Sequence, residues 1–285
     1  MTATQDWSPS EREQERRRVR GRQRLRSVLI ATAVTAVVFL GLGVGLVSSP
    51  GWPSVQDLFF NGYHARESFP AVLKGFWVNV KLFLICEPVI LVLALAVALA
   101  RTARSAWLVP VRLLAALYTD VLRGVPTILL VVLLAFGMPA LRLQGIPNSA
   151  LFWAGVALVL SYGAYVAEVF RAGIDSIHPS QLASAEALAL SRAQALRYVV
   201  VPQAVRRVLP PLLNDFVSLQ KDTALVAAAG ILDAVFAARD YGNFKFNYTP
   251  LVVVAGFFVV MTVPLARFTD WLQRRYAERE RAGAR

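Results

Sequence analysis

The sequence predicts an all-α, polytopic membrane protein: six transmembrane helices with a helical loop on the cytoplasmic side. Three observations predict it. Of the 285 residues, 56% are hydrophobic and only 17% charged. The apolar residues gather into long blocks rather than alternating, and a block of about 20 residues at about 1.5 Å each crosses a hydrocarbon layer of roughly 30 Å. Between the fourth and fifth blocks lies the segment 181–202, QLASAEALALSRAQALRYVVVP, too polar to cross a bilayer yet patterned as helix.

The first block, residues 27–47, has no charge in 21 residues. Its basic lead-in is long and its apolar run exceeds that of a signal peptide, so it reads as a retained anchor helix. The following external segment, 48–71, is too short for a receptor domain of normal size. The second span runs from about 72 to 100 and the third from about 113 to 139, ending at Gly137-Met138-Pro139. The fourth is about 151–170, the fifth about 208–236 and the sixth about 249–268.

A net charge of +12 suggests nucleic acid, but its distribution argues against that. Arg12, Arg16, Arg17, Arg18, Arg20, Arg22, Arg24 and Arg26 precede the first block, and Arg267, Arg274, Arg275, Arg279, Arg281 and Arg285 follow the last. Basic residues beside spans fix orientation and meet anionic lipid head groups. With both termini in the cytoplasm, 22 of the 30 basic residues fall inside, among them Arg101, Arg104 and Arg112 in the loop after the second span, and five outside, leaving Lys81, Arg123 and Lys221 within spans. That bias sets the orientation. Trp52, Trp77, Trp107, Trp153 and Trp271 fall near span ends, where amphipathic rings suit the head-group zone. The single cysteine, Cys86, permits no disulfide within the chain.

Charges inside spans must face protein, water or an end zone. Lys81 and Glu87 lie in the second span, Arg123 follows Asp120 in the third, and Glu168 and Arg171 close the fourth. Glu168 and Arg171, three apart, are spaced to pair along one helix face. The fifth span holds Asn214, Asp215, Gln220, Lys221 and Asp222 and reads as a helix lining an interior path. Asn214, Ser218, Lys221 and Thr223 are its candidate substrate-path residues. Arg123, Glu168 and Arg171 are structural or gating candidates.

Pro202, Pro210 and Pro211 punctuate the entrance to the fifth span. Residues 184–196 can form one amphipathic helix with a small apolar face of Ala185, Leu188 and Ala189. The β-branched run Val199 to Val201 marks a bend or a second short element. The loop is therefore a folded knob on which something outside the membrane can pull.

Several stretches carry a resemblance. Ala164-Tyr165, Ala167-Glu168, Arg171, Gly173-Ile174 and Ser176-Ile177 precede the loop; Pro202-Gln203-Ala204, Pro210, Asn214, Lys221-Asp222-Thr223 and Leu225 follow it. Asp120-Val121-Leu122-Arg123-Gly124-Val125-Pro126 resembles an Arg-Gly-Thr-Pro region, with Val125 in the threonine place. In this order they resemble the membrane permease subunits of ATP-driven (ABC) importers for polar amino acids, the histidine, glutamine and glutamate family. The likeness covers about residues 72–270.

That resemblance divides the chain into a basic cytoplasmic tail (1–26), an additional first helix with its external loop (27–71), the transmembrane core (72–270) with a coupling loop at about 178–207, and a cytoplasmic C-terminal tail (271–285). The family's loop reads Glu-Ala-Ala, three residues, Gly, nine residues, then Ile-x-Leu-Pro. Here its places are held by Ala183, Ser184, Ala185, Ala189, Val199, Val201 and Pro202, with Gln181 retained just before it. The spacing is intact, but the glutamate and the glycine are gone. Alanine at 189 disfavours a positive φ and favours continued helix.

The resemblance implies a permease subunit in a bacterial plasma (inner) membrane, multi-pass, with both termini cytoplasmic. It implies a cytoplasmic ABC ATPase dimer, a second permease subunit (homo- or heterodimer) and an extracytoplasmic amino-acid-binding protein as partners, besides membrane lipid and the amino acid itself. The chain lacks GxxxxGK[ST], so it is not expected to be an enzyme or to bind a cofactor; ATP and Mg²⁺ belong to the partner ATPase. No metal or nucleic acid is expected. The substrate class is a polar or charged L-amino acid, with glutamate or aspartate preferred and histidine or arginine the rivals. Two other classes remain: an ion-coupled secondary transporter using Glu87 or Glu168, disfavoured by the absence of a repeated half, and a non-transporting membrane interaction subunit.

Overall fold

The computed structural model describes residues 10–103 and 105–283. Of the residues used above to orient the chain, Arg104 and Arg285 lie outside the described residues, as do positions 1–9 of the basic tail. All regular secondary structure among the described residues is helical, and the chain divides into two compact units, 1–57 and 58–285.

In the first unit, α1 (Glu11–Val47) continues the predicted anchor back through the arginine-rich lead-in as one helix of 37 residues. The apolar side chains from Val28 to Val47 are exposed on every side, which suits a helix solvated by lipid. α2 (Trp52–Phe59) is a short amphipathic helix within the predicted external segment.

The second unit is built around α3 (Gly62–Thr102) and α6 (Ala150–Asp175). α6 is the central helix, and its buried face is dominated by small residues: Ala154, Gly155, Ala157, Ser161, Gly163, Ala164, Ala167 and Gly173. Small side chains let neighbouring helices approach closely where lipid supplies no hydrophobic drive. Leu82, Phe83, Cys86, Ile90 and Ala94 of α3 pack with Leu158, Tyr162 and Val166 of α6 in the main core. Val131 and Ala135 join it from α5 (Thr127–Ala140), and Leu219 from α9 (Val201–Asp222). The second core joins Val72 of α3 to α10 (Ala234–Lys245) and α11 (Thr249–Gly283) through Ala234, Ala238 and Val254, with Phe76 stacked on Phe257.

The span count departs from six. Among the described residues four helices are long and apolar enough to cross a membrane (α1, the stretch ending in α3, α6 and α11), or five if a bent pair is one span. That pair is the predicted third span. It splits into α4 (Val109–Gly124) and α5, which meet at 103°. The cause is Val125-Pro126: a residue before proline is pushed to extended backbone, and Val125 has ψ 127.

The predicted fifth span, 208–236, is not one helix either. α9 ends at Asp222, a 3₁₀ segment runs from Thr223 to Ala229, and Gly230 turns the chain with φ 74 before Asp233 caps α10. α9 carries Arg206, Arg207, Asp215, Lys221 and Asp222, too much charge for a lipid-facing span.

Candidate functional site

The polar segment between α6 and α9 folds as a knob. It contains α7 (Pro179–Ala187), α8 (Arg192–Ala195) and a π-helical turn, Leu196–Val200, that runs directly into α9. The expected single helix over 184–196 is broken. Ala189 takes φ 53, and the Leu190 amide donates to the Ala185 carbonyl at 3.1 Å, closing α7 with a left-handed cap. Backbone geometry here overrides the helix propensity of alanine. The β-branched bend expected at Val199 to Val201 falls at the π-turn and the first residue of α9. Pro202 follows the π-turn directly and has no N–H to bond back into it, which fits the interrupted α-helical pattern there.

Of the small apolar face predicted over Ala185, Leu188 and Ala189, Ala185 is buried inside the knob, as is Ala195 beyond it. Gln181, Ala183, Ser184 and Ala189 are exposed, Val199 and Pro202 are half-buried and Val201 is exposed. Among the described side chains of the knob, the large apolar groups most open to solvent are Leu188, 75% exposed, and Tyr198, 65% exposed. Tyr198 went unremarked in the sequence because a single tyrosine beside valines reads as ordinary packing.

The ends of α6 and α9, between which the knob is carried, are clamped together. Gly173 of α6 faces Val208 of α9 so closely that a Cβ would lie 2.1 Å from Val208 Cγ1. Ile177 and Ala204 form a small buried contact, Arg207 donates to the Ser176 carbonyl, and Gln203 Nε2 donates to Gln181 Oε1 at 3.3 Å.

Immediately beside it, the three structural or gating candidates converge on one carboxylate. Arg171 donates to Glu168 Oε1, with Nε at 3.0 Å, and to Asp175 Oδ2 at 2.5 Å. Glu168 Oε2 accepts from Arg101 Nη1 at 2.6 Å and has Arg123 Nη1 at 4.0 Å. Arg101, at the end of α3, also donates to Thr119 Oγ1 of α4 at 2.7 Å. Neither Arg101 nor Thr119 was a sequence candidate: Arg101 read only as a loop charge, and its distance of 67 positions from Glu168 hides the contact.

The substrate-path candidates divide. Asn214, Ser218 and Lys221 recur at helical spacing along α9; Asn214 and Lys221 are exposed and Ser218 half-buried. Thr223 is buried, and its hydroxyl donates to the Gln220 carbonyl at 2.8 Å, so the structure separates it from the other three. Asp222 accepts from the Tyr162 hydroxyl at 2.7 Å, and Gln220 Oε1 accepts from Thr262 of α11 at 2.5 Å.

A further polar chain lies at the other end of α3. His64 Nδ1 is 2.8 Å from the Tyr241 hydroxyl, which donates to Glu67 Oε2 at 2.5 Å. Burial, and then that hydrogen bond, pushes the Tyr241 phenol up to about 12. Among the described residues no group of three or more His, Cys, Asp or Glu side chains is arranged to hold a metal ion.

Residues 90–278, from the middle of α3 to near the end of α11, match the family described as the binding-protein-dependent transport system inner membrane component. The chain belongs to that family. As such an inner membrane component it is a transport subunit and not an ATPase. It is 32% identical over 233 residues to the probable amino-acid ABC transporter permease protein YckA of Bacillus subtilis (strain 168), covering 81% of this chain and 99% of that one. It is 30% identical over 200 residues to the arginine transport system permease protein ArtQ of the same organism, covering 70% and 89%. Among solved structures it is similar to a crystal structure of an amino acid ABC transporter with histidines, with TM-score 0.66 and 30% identity over 73% of this chain and 95% of that one. The inward-facing MetNI methionine ABC transporter, at 17% identity and TM-score 0.61, shares the fold. The several membrane-length apolar helices are consistent with a multi-pass inner-membrane protein.

Proposed function

We propose that this inner membrane component imports a polar or charged L-amino acid, driven by a separate ATPase that grips the knob at 179–200. The knob carries the reading: a folded, polar segment between α6 and α9 that presents Leu188 and Tyr198 outward while Ala185 and Ala195 pack inward. Isolated exposed apolar groups on a braced knob fit a hydrophobic groove on a cytoplasmic partner. Because the knob runs directly into α9, and α9 is clamped to the end of α6, force applied there reaches the membrane helices as rigid-body movement.

The partners follow from that role: an ABC ATPase dimer holding ATP and Mg²⁺, a second permease subunit and an extracytoplasmic binding protein. The arginine-rich start of α1 and the basic end of α11 favour both termini in the cytoplasm of a bacterial plasma membrane. Asn214, Ser218 and Lys221 form the polar face offered to the substrate. An amino acid zwitterion needs hydrogen-bonding groups wherever its water is stripped away. ATP-driven closure alternates the access of that face only if the ATPases bind the two states with different affinity. The relatives' names, an amino-acid permease and an arginine permease, support the substrate class.

The test is uptake into vesicles by the complex reconstituted with its ATPase and binding protein, screened over the common amino acids. ATP-dependent accumulation that requires the binding protein is the expected outcome. Uptake driven by an ion gradient without ATP would falsify the proposal.

A further inference from the structure

We propose that Glu168 is a positioning residue that transmits movement of the knob to α3 and α4; this rests on the importer reading above. The carboxylate divides its two oxygens between two directions. Oε1 is held within α6 by Arg171, one turn before the helix ends at Asp175. Oε2 reaches across to Arg101 at 2.6 Å, and the same Arg101 nitrogen holds Thr119 of α4 at 2.7 Å. Thr119 is fully buried, and its own hydroxyl donates to the Ala116 carbonyl at 2.9 Å, so it is a fixed anchor on α4. One continuous chain of charge-assisted bonds therefore runs from α6 through Glu168 and Arg101 into α4.

The electrostatics make the carboxylate indispensable to that chain. Three guanidinium groups, from α3, α4 and α6, lie within 4.0 Å of Glu168, whose side chain is only 22% exposed. Asp175, the other acid of the cluster, pairs with Arg171. Removing the Glu168 charge leaves like charges facing one another in a half-buried site, and the ends of the three helices repel instead of holding together. Arg123, the most loosely held of the three arginines, is two residues before the Val125-Pro126 break between α4 and α5. A shift of α6 thus reaches the 103° bend between α4 and α5. Because the knob runs directly into α9, and α9 is locked to the end of α6 through Gly173, Ser176 and Ile177, a pull on the knob is carried to α6.

The experiment is the ratio of amino acid imported to ATP hydrolysed in the reconstituted complex, which does not depend on protein abundance. Arg101→Gln cuts the link between α6 and α3, and the ratio is expected to fall roughly tenfold while ATP hydrolysis continues. Thr119→Val keeps shape and burial and removes only the link from Arg101 to α4; the ratio is expected to fall about threefold or more. Asp175→Asn disturbs a bond inside α6 alone, and its ratio should stay within about twofold of the parent. An unchanged ratio in both Arg101→Gln and Thr119→Val, or an equal fall in Asp175→Asn, overturns the inference. A parent complex with no ATP-driven uptake overturns the importer reading itself and this inference with it.

Discussion

Gly75 of α3 and Asp233 at the start of α10 are in backbone contact: a Cβ on Gly75 would lie 2.5 Å from the Asp233 carbonyl carbon and 2.6 Å from the Ala234 nitrogen. The same junction is clamped by side chains. Asn79 donates to Asp233 Oδ2 at 3.0 Å and accepts from the Ala234 amide at 3.2 Å, while Asp233 Oδ1 caps α10 by accepting from Phe236 N at 2.8 Å. The close approach fixes where the chain re-enters helix after the Gly230 turn.

Gly75→Ala has nowhere to place its methyl, because backbone on the facing strand of chain cannot swing aside as a side chain would. A loss of about 3 kcal/mol or more is expected. Thermal unfolding of the detergent-solubilised subunit measures it; a melting temperature equal to the parent's shows that the two segments have room to separate.

Ala189 holds a left-handed conformation that costs an L-residue about 1–2 kcal/mol. Ala189→Gly removes that strain but adds freedom to the unfolded chain, so a net gain of about 1 kcal/mol in local stability is expected. Hydrogen exchange of the Leu190 amide, which donates to Ala185, reads it directly. Faster exchange in the glycine variant contradicts the expectation.

Gly173 and Val208 give a two-residue test of the brace between α6 and α9. Gly173→Ala drives a methyl into Val208 Cγ1, and Val208→Ala removes that atom. The pair should be non-additive by about 1 kcal/mol or more, with the double variant more stable than Gly173→Ala alone. Additive losses mean the contact is not felt.

Leu188, largely exposed on the knob, is the residue whose change best separates docking from folding. Leu188→Asp should leave membrane insertion intact and weaken ATPase association roughly tenfold or more. The comparison is co-purification of the ATPase at matched subunit abundance. Bulk placed at Ala185 is a poorer probe, since that side chain is buried and its enlargement deforms the knob itself.

Lys221 is exposed on the polar face of α9 with Asn214. Lys221→Met should insert normally and lower uptake roughly tenfold, a loss of about 1.4 kcal/mol in transport-competent binding. Uptake equal to the parent's at matched abundance removes Lys221 from the path.

Much of the fold was legible because membrane burial is a one-dimensional signal. The blocks at 27–47, 72–100, 151–170 and 249–268 fall within α1, α3, α6 and α11, and only the polar ends of these helices were left unassigned. The third and fifth blocks misled for a physical reason. Hydropathy averages over a window, whereas the bend at Val125-Pro126 and the turn at Gly230 are single-residue backbone events. Of the candidate groups, Glu168 and Arg171 were found by their i, i+3 spacing, which is local. Arg101 and Thr119 were not, since nothing in a linear chain announces which distant helix end comes to rest beside a given charge.

The sequence by itself determined that this is a helical membrane chain, which family it resembles and where its polar knob lies, because apolar length, charge bias and motif order are properties of neighbours along the chain. Only the tertiary structure decided that Ala185 turns inward while Leu188 faces out, that Ala189 must be left-handed and that one carboxylate gathers three helices. The gathering at Glu168 depends on packing between segments far apart in sequence, and the knob on how its short helices close on one another, where a few tenths of an ångström select one arrangement over another.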